Sequence, residues 1–140
     1  MAERVIFSDL ELFLTGFIRA ELVARGKTGG FISNEFSPAD KPRPPFQVIV
    51  RDDSGPRSSI VTKTPTVGIA VLGSDAYGKQ ATTDLALLVF AIMEGCARIA
   101  PGNPVAAVSN AYGPYRVADD TGHQRRYMTF SLTVVGRPFT

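Results

Sequence analysis

His123 and Cys96 have the most versatile side-chain chemistry in this sequence, and each is the single residue of its type. An imidazole can act as a general base or bind a metal, and a thiolate can act as a nucleophile. Single copies exclude a His-rich metal site, a multi-cysteine zinc site and an internal disulfide. His123 follows the turn-forming segment Asp119–Gly122, which favours a solvated turn residue over a general base. Cys96 lies on the apolar stripe of a predicted helix, which favours packing over nucleophilic attack.

The other candidates for chemistry are paired carboxylates and glycine-rich segments. Asp52–Asp53 and Asp119–Asp120 could bind a cation weakly, but turn propensity alone explains both pairs. Gly26–Gly30 contains Lys-Thr without the spacing of a phosphate-binding P-loop. Val71–Gly78 is predicted to join a strand to a helix, which is the right context for phosphate, but it lacks the Gly-x-Gly-x-x-Gly pattern. We interpret Val71–Gly78 as a turn and helix cap. From all of these candidates together, we predict no enzyme, no catalytic residue, no metal ligand and no cofactor.

The composition is that of one folded domain, with 140 residues, 15.0 kDa, 44% hydrophobic and 20% charged residues. A disordered chain would have fewer apolar residues and a larger net charge. The net charge is +2, from 15 Lys and Arg against 13 Asp and Glu, so electrostatics alone do not favour a nucleic-acid binder. The longest apolar run, Leu85–Met93, is far shorter than the roughly 20 residues that span a bilayer. The acidic start of the chain lacks a signal-peptide pattern, so we expect synthesis in the cytoplasm and no membrane partner.

Two helices are predicted. The first is predicted to start with a capping box, because Ser8 and Glu11 have the Ser-x-x-Glu spacing of that motif. Apolar residues then recur at spacings of three and four as far as Gly26, a residue type common just after helix ends. The second helix is predicted over 79–99. It is apolar nearly all round, which indicates burial against a partner subunit as well as against the sheet.

The rest of the sequence predicts strands and two long loops. Strands are predicted at 46–50, 60–61, 66–72, 105–109, 112–117 and 126–135. In the last strand, alternating residues are predicted to face the core: Met128, Phe130, Leu132 and Val134. The segments 26–45 and 52–65 are predicted loops because Gly and Pro interrupt them. The order α-β-β-β-α-β-β-β predicts one α+β domain over 1–140, with a mixed, mainly antiparallel sheet flanked by two helices.

The size, the element order and six stretches of the sequence together point to a known family. The stretches are Asp9–Leu12, Val48–Asp53, Thr66–Gly73, Asp84–Ala86, Gly113–Val117 and Leu132–Gly136. In these features, which cover most of the chain, the protein resembles the small tail terminator proteins (tail completion or minor tail proteins) of long-tailed bacteriophages. The resemblance is greatest to those of phages that infect actinobacteria.

The resemblance implies a structural virion protein that forms a homo-hexameric ring at the head-proximal end of the tail tube. Such a ring stops tube polymerisation and provides the surface for head–tail joining. Its partners are copies of itself, the tail tube protein and the head–tail connector or neck protein, while DNA only passes through the lumen. The family has no catalytic residue to carry over to this chain, and although one branch of it oligomerises with magnesium, the resemblance places no metal ligand here.

Under this interpretation, the residues expected at subunit or partner interfaces are apolar residues of the first loop and charged residues near turns. They are Phe31, Phe36, Arg51, Asp52, Asp53, Arg57, Asp119, Asp120, Arg125 and Arg126. Arg125 and Arg126 have two possible sets of partners, the carboxylates Asp119–Asp120 in the same hairpin and carboxylates of a neighbouring subunit. Surface ion pairs of either kind add only about 0–1 kcal/mol each.

Two alternative functions stay open on the sequence. One is another ring-forming neck protein of the same particle, such as a head–tail stopper or adaptor. The other is a small ligand-binding or enzymatic α+β domain, which would need a pocket with convergent titratable residues. Position in the virion would distinguish the first alternative, and a polar pocket would favour the second.

Overall fold

Two helices and eight strands form the described part of this computed structural model, which comprises residues 4–38, 40–98, 100–119 and 122–139. In chain order they are β1 (Val5–Ile6), α1 (Leu10–Ala24), β2 (Phe31–Ser33), β3 (Phe46–Asp52), β4 (Thr62–Lys63), β5 (Thr66–Gly73), α2 (Lys79–Glu94), β6 (Val105–Arg116), β7 (Gln124–Val135) and β8 (Arg137–Pro138). The α+β class and the mixed, mainly antiparallel sheet are confirmed. The predicted order lacks the short strands β1, β2 and β8, and it divides β6 into two strands.

Strands β3, β5 and β7 form the antiparallel centre of the main sheet. β2 lies parallel to β3 at one edge, and β6 pairs along the side of β7 that β5 leaves open. The short strand β4 pairs with the end of β7, next to the start of β5. β1 and β8 form a separate two-stranded sheet that joins the two ends of the described chain.

The register gives the main sheet two ends of different composition. At one end, Asp52 of β3 lies opposite Val67 near the start of β5. At the other end, Gly73 closes β5 opposite Gln124, the first residue of β7. These are called the Asp52 end and the Gln124 end. Eight residues of β5 at about 3.4 Å each place them on the order of 25 Å apart.

Both helices pack against one face of the sheet, where the main apolar cluster lies. The alternation predicted for β7 is confirmed, since its inward residues are 0–2% exposed: Met128, Phe130, Leu132 and Val134. The opposite face has a smaller cluster of Ile49, Ala70 and Leu72, against which Phe31 and Tyr127 pack. β5 contributes to both clusters and is buried on both faces.

Helix α1 begins one residue later than the capping-box pattern predicts. Its N-cap is Asp9, whose carboxylate accepts a hydrogen bond from the N–H of Leu12 at 3.1 Å, so the role predicted for Ser8 is wrong. Glu11 does not close a capping box. Its carboxylate accepts hydrogen bonds from the N–H of Asp52 at 2.8 Å and from the side-chain amide of Asn34 at 3.0 Å. Aspartate is as good an N-cap residue as serine. With Asp9 as the N-cap, the Glu11 carboxylate is available to accept a hydrogen bond from the backbone N–H at the end of β3.

Helix α2 is shorter than predicted and ends at Glu94, because the N–H of Gly95 bonds back to the carbonyls of the preceding turn. Cys96 therefore follows the helix, where it is fully buried. Ile99, the predicted end, lies outside the described residues. In the single chain one stripe of α2 faces solvent: Gln80, Asp84, Leu87, Ala91 and Glu94. The predicted burial of α2 against a partner subunit stays a prediction. No helix within the described ranges has the length and hydropathy needed to cross a membrane.

The two predicted loops contain short strands that the sequence pattern did not indicate. Phe31–Ser33 forms β2 because its backbone completes the edge beside β3. The predicted strand at 60–61 is wrong, since Ile60 is 66% exposed and pairing begins at Thr62, against β7. β6 is one strand with register shifts where two were predicted, so Gly113–Pro114 interrupts its pairing without ending it.

Gly16 and Gly26 provide a matched test of helix α1. Gly26 has a φ of +78°, and the N–H groups of Gly26 and Lys27 bond to the carbonyls of Val23 and Leu22 at 3.0 and 2.9 Å, which is a Schellman end. We expect Gly26→Ala to lower the free energy of unfolding by about 1 kcal/mol, because the left-handed region disfavours an L side chain. Gly16→Ala should raise it by about 0.5–1 kcal/mol, since an added Cβ meets nothing within 4 Å. Urea unfolding measures both changes in the free energy of unfolding. Changes of the same sign would contradict a Schellman end at Gly26.

The reactivity of the Cys96 thiol provides a test of whether the segment that follows α2 is buried. Burial raises the pKa of this thiol to about 11, and the side chain has no exposed surface. At pH 8 the folded protein therefore keeps the thiol protonated and covered. We expect a disulfide reagent to react at least about 100-fold more slowly in buffer than in concentrated guanidinium chloride, where the thiol regains an ordinary pKa of about 8.5. Equal rates in the two solutions would contradict the burial of this segment.

Candidate functional site

Several charged side chains meet at the Gln124 end of the sheet. β6 ends at Arg116, which lies opposite Arg126 in the register with β7. The connection between the two strands holds Asp119 and His123. Because β5 also ends here, the turn that follows it places the first turn of α2 at the same end. The hairpin and the β5–α2 connection therefore gather residues that are far apart in the sequence.

His123 bridges a carboxylate and a guanidinium. Its Nδ1 lies 3.4 Å from Oδ2 of Asp119, and its Nε2 lies 3.1 Å from Nη1 of Arg43. Because a guanidinium can only donate, Nε2 accepts, and we assign the neutral ring with its proton on Nδ1, facing Asp119. The side chain is 8% exposed, so the interpretation of His123 as a solvated turn residue is wrong. Arg43 occupies the lone pair that a general base would use.

Asp119 links the histidine to Arg125. Its Oδ2 accepts a hydrogen bond from the N–H of His123 at 3.2 Å, and its Oδ1 lies 3.7 Å from Nη1 of Arg125. The Arg125 guanidinium also lies 5.6 Å from the ring centroid of Phe36, within the range of a cation–π contact. The Nε of Arg125 is buried and has no hydrogen-bond partner among the described residues. Arg125 thus has a partner within the chain, and Asp120, the other predicted carboxylate, lies outside the described residues.

Arg126 points to the other face of the sheet, toward α2. It is 6% exposed, and its Nη1 and Nη2 each donate a hydrogen bond of 3.1 Å, to the carbonyl of Arg125 and to Oγ1 of Thr83. Burial, and then the positive charge of Arg116, lower the pKa of Arg126. Neither acceptor is charged, and Arg126 has no ion pair with a carboxylate of the described ranges.

The outer face of the Gln124 end contains a cavity of about 400 Å³. Among the residues that line it are Phe36, Arg43, Gln47, Leu72, His123 and Arg125. Gln47 is buried, and its Oε1 accepts a hydrogen bond from the N–H of Ser37 at 2.9 Å, which fixes the amide in the wall. The lining thus combines two arginines, one carboxylate (Asp119) and apolar groups, which is the mixture of polar and apolar side chains that small-molecule sites have. Within the part of the chain that the structure describes, no group of three or more His, Cys, Asp and Glu side chains could hold a metal ion.

The remaining predicted interface residues lie elsewhere. At the Asp52 end, Arg51 pairs with Asp53 at 3.3 Å, and the backbone of Asp52 is bound by Glu11. The Arg57 guanidinium lies 5.4 Å from the ring centroid of Phe7. Phe31 is half-buried on the edge strand β2, opposite Gln47 and so nearer the Gln124 end. The described residues of the predicted set therefore lie toward both ends of the sheet and do not form one surface.

Sequence reasoning missed the partners that complete the Gln124 end: Arg43, Lys79 and Arg116. Arg43 comes from the loop before β3 and contacts His123, Lys79 begins α2 after the end of β5, and Arg116 ends β6 opposite Arg126. One feature of the sequence does indicate this site, the single histidine His123 beside the acidic pair Asp119–Asp120. The turn-forming residues around His123 favoured a solvent-exposed position instead, because turns are usually solvated.

No protein-family model matches this chain, and no curated protein matches it.

Asp119 and Asp53 allow a matched test of this site. We expect Asp119→Asn to lower the free energy of unfolding by about 1–3 kcal/mol, because it weakens bonds to His123 and Arg125 in a buried setting. Asp53→Asn should change it by less than about 1 kcal/mol, since the Arg51–Asp53 pair is exposed to solvent. Urea unfolding measures both values, and an equally small effect at Asp119 would contradict its bridging role.

Proposed function

We propose that this protein is a structural virion protein that forms a ring at the head-proximal end of a phage tail tube. The ring ends tube polymerisation and provides the surface for head–tail joining. It contacts copies of itself, the tail tube protein and a head–tail connector or neck protein, and DNA only passes through its lumen. The α+β fold that the sequence resemblance implies is consistent with the observed class of fold, and no catalytic function is proposed.

The observation that carries this proposal is the exposure of strand β6. It is 12 residues long, its first residue Val105 is its one buried position, and within the described ranges it pairs only with β7. Its aromatic residues Tyr112 and Tyr115 are 63% and 48% exposed. Edge strands of monomeric proteins are usually short, charged or covered, because their free backbone groups attract other chains. Register shifts along β6 limit open-ended backbone pairing, so we expect its exposed side chains to make the contact with a neighbour.

Further apolar side chains are exposed away from β6, as expected for a protein with several partners. Leu12 on α1 and Ile60 before β4 are 71% and 66% exposed. Phe36, one of the predicted interface residues, is 51% exposed in the loop before β3. Interfaces are enriched in such apolar and aromatic side chains. Phe36 and Ile60 lie in the segments 26–45 and 52–65, and their exposure supports the proposal that these two segments contact neighbouring subunits or rings.

The cavity beside His123 favours a second candidate, a small-ligand-binding domain. Ligand sites are typically concave and combine apolar walls with a few convergent polar groups. This candidate requires no ring, whereas the tail proposal does, so the assembly state separates them. A stopper or adaptor would also form a ring, and its place in the virion distinguishes it from a terminator.

Assembly is best measured by native mass spectrometry over a range of concentrations, with and without magnesium, followed by negative-stain imaging. We expect ring-shaped particles of six 15.0 kDa chains. Immunogold labelling of virions should then mark the head-proximal end of the tail. A monomer under every condition, including in the presence of isolated tail tubes, would overturn the proposal.

Tyr112 and Phe139 allow a matched test of the β6 surface. Both are exposed aromatic residues, and only Tyr112 lies on β6. We expect Tyr112→Glu to weaken subunit association by about 30-fold, because interface tyrosines often contribute strongly to binding. Phe139→Glu should leave association unchanged, and both variants should keep a free energy of unfolding within about 0.5 kcal/mol of the parent. Sedimentation velocity and urea unfolding measure the two quantities, and equal association of both variants would exclude β6 from the interface.

A further inference from the structure

A second depression at the Gln124 end concentrates positive charge. It has a volume of about 420 Å³, and the cations that line it are Lys79, Arg116, Arg125 and Arg126. Asp119 is the only carboxylate among the described residues of its lining. Asp119 pairs with His123 and Arg125, and among the described residues no ion pair joins a carboxylate to Lys79, Arg116 or Arg126.

Among these cations, Arg126 is the one whose burial most requires a counter-charge. Charged side chains are rarely buried unless they are paired, because removal from water disfavours the charged form. The acceptors of Arg126 are the neutral oxygens of Thr83 and Arg125, and Arg116 adds a like charge nearby. Within the described ranges, the chain buries a cation and supplies no anion to neutralise it.

The start of helix α2 lacks negative charge in the same way. The N-cap is Gly78, no side chain caps the free N–H groups, and the first turn has no acidic residue. Its first residue is instead the cation Lys79. Helix N-termini carry a partial positive charge and are stabilised by anions, so a lysine at this position is unfavourable by itself. The buried Arg126 and the uncapped helix end therefore each favour an anion at the same depression.

We propose that this depression binds a phosphate group, held by Lys79, Arg116, Arg126 and the first turn of α2. Helix N-termini and arginine side chains are the protein groups that most often bind phosphate. Three cations and a helix terminus match the double charge of phosphate better than the single charge of a carboxylate. The site does not depend on ring formation, so it can be present or absent whatever the assembly state proves to be.

The test uses exposed cations inside and outside the depression. Lys79→Gln and Arg116→Gln remove charge from its wall, and Lys27→Gln and Arg137→Gln remove exposed charge elsewhere. Inorganic phosphate is titrated into each protein by calorimetry and by thermal unfolding, with sodium chloride at matched ionic strength as the reference. We expect saturable binding to the parent and to both controls, and about tenfold weaker binding to each of the two wall variants.

Short duplex DNA is the second probe, and it distinguishes the source of the phosphate. If phosphate competes with DNA, the bound group belongs to nucleic acid; if phosphate binds and DNA does not, the ligand is a small phosphate compound. Both results support the site.

Three results would overturn it. The first is a phosphate effect no larger than that of chloride, and the second is an equal loss of binding in the control variants. The third is self-association that Lys79→Gln and Arg116→Gln abolish while phosphate has no effect, which would assign the depression to carboxylates of a second copy.

Discussion

Strand β7 holds the main sheet together, because β4, β5 and β6 all pair with it. Its inward side chains Met128, Phe130 and Leu132 are fully buried in the main core, on the face that α2 covers. β5 pairs with one side of the strand and β6 with the other. Burial of each large apolar side chain contributes roughly 1.5–3 kcal/mol. A shift of register by one residue would turn these side chains to the opposite face, so the alternation determines how the other strands align.

The same alternation separates the two arginines at the start of β7. Arg125 faces outward and contacts Phe36 and Asp119, whereas Arg126 occupies the next inward position, above Met128. An inward arginine lies where the core pattern would place an apolar residue. It is tolerated because it lies at the end of the sheet, where Thr83 and a backbone carbonyl accept its hydrogen bonds. Local rules fail at few positions in natural proteins, and those positions are often functional.

Exposed apolar side chains and clustered charges occupy different parts of the surface. Cations without a carboxylate partner among the described residues gather at the Gln124 end, while exposed aromatic side chains follow β6 at the edge of the sheet. The Asp52 end has acidic and basic residues that pair within the chain, as Arg51 and Asp53 do. One surface is thus suited to an anion and another to a protein neighbour, and the two can act independently.

The amino-acid sequence by itself determined the helices, the central strands and the α+β class, because these depend on local periodicity. The alternation from Met128 to Val134 and the two-sided burial of β5 are examples. Tertiary structure alone decided which cap residue begins α1, since Asp52 at the end of β3 takes up the Glu11 carboxylate. It also decided the short edge strand β2, which has no pattern of its own and forms because β3 offers a free edge. The surroundings of His123 depend on contacts such as that with Arg43, 80 residues away, which no local pattern encodes.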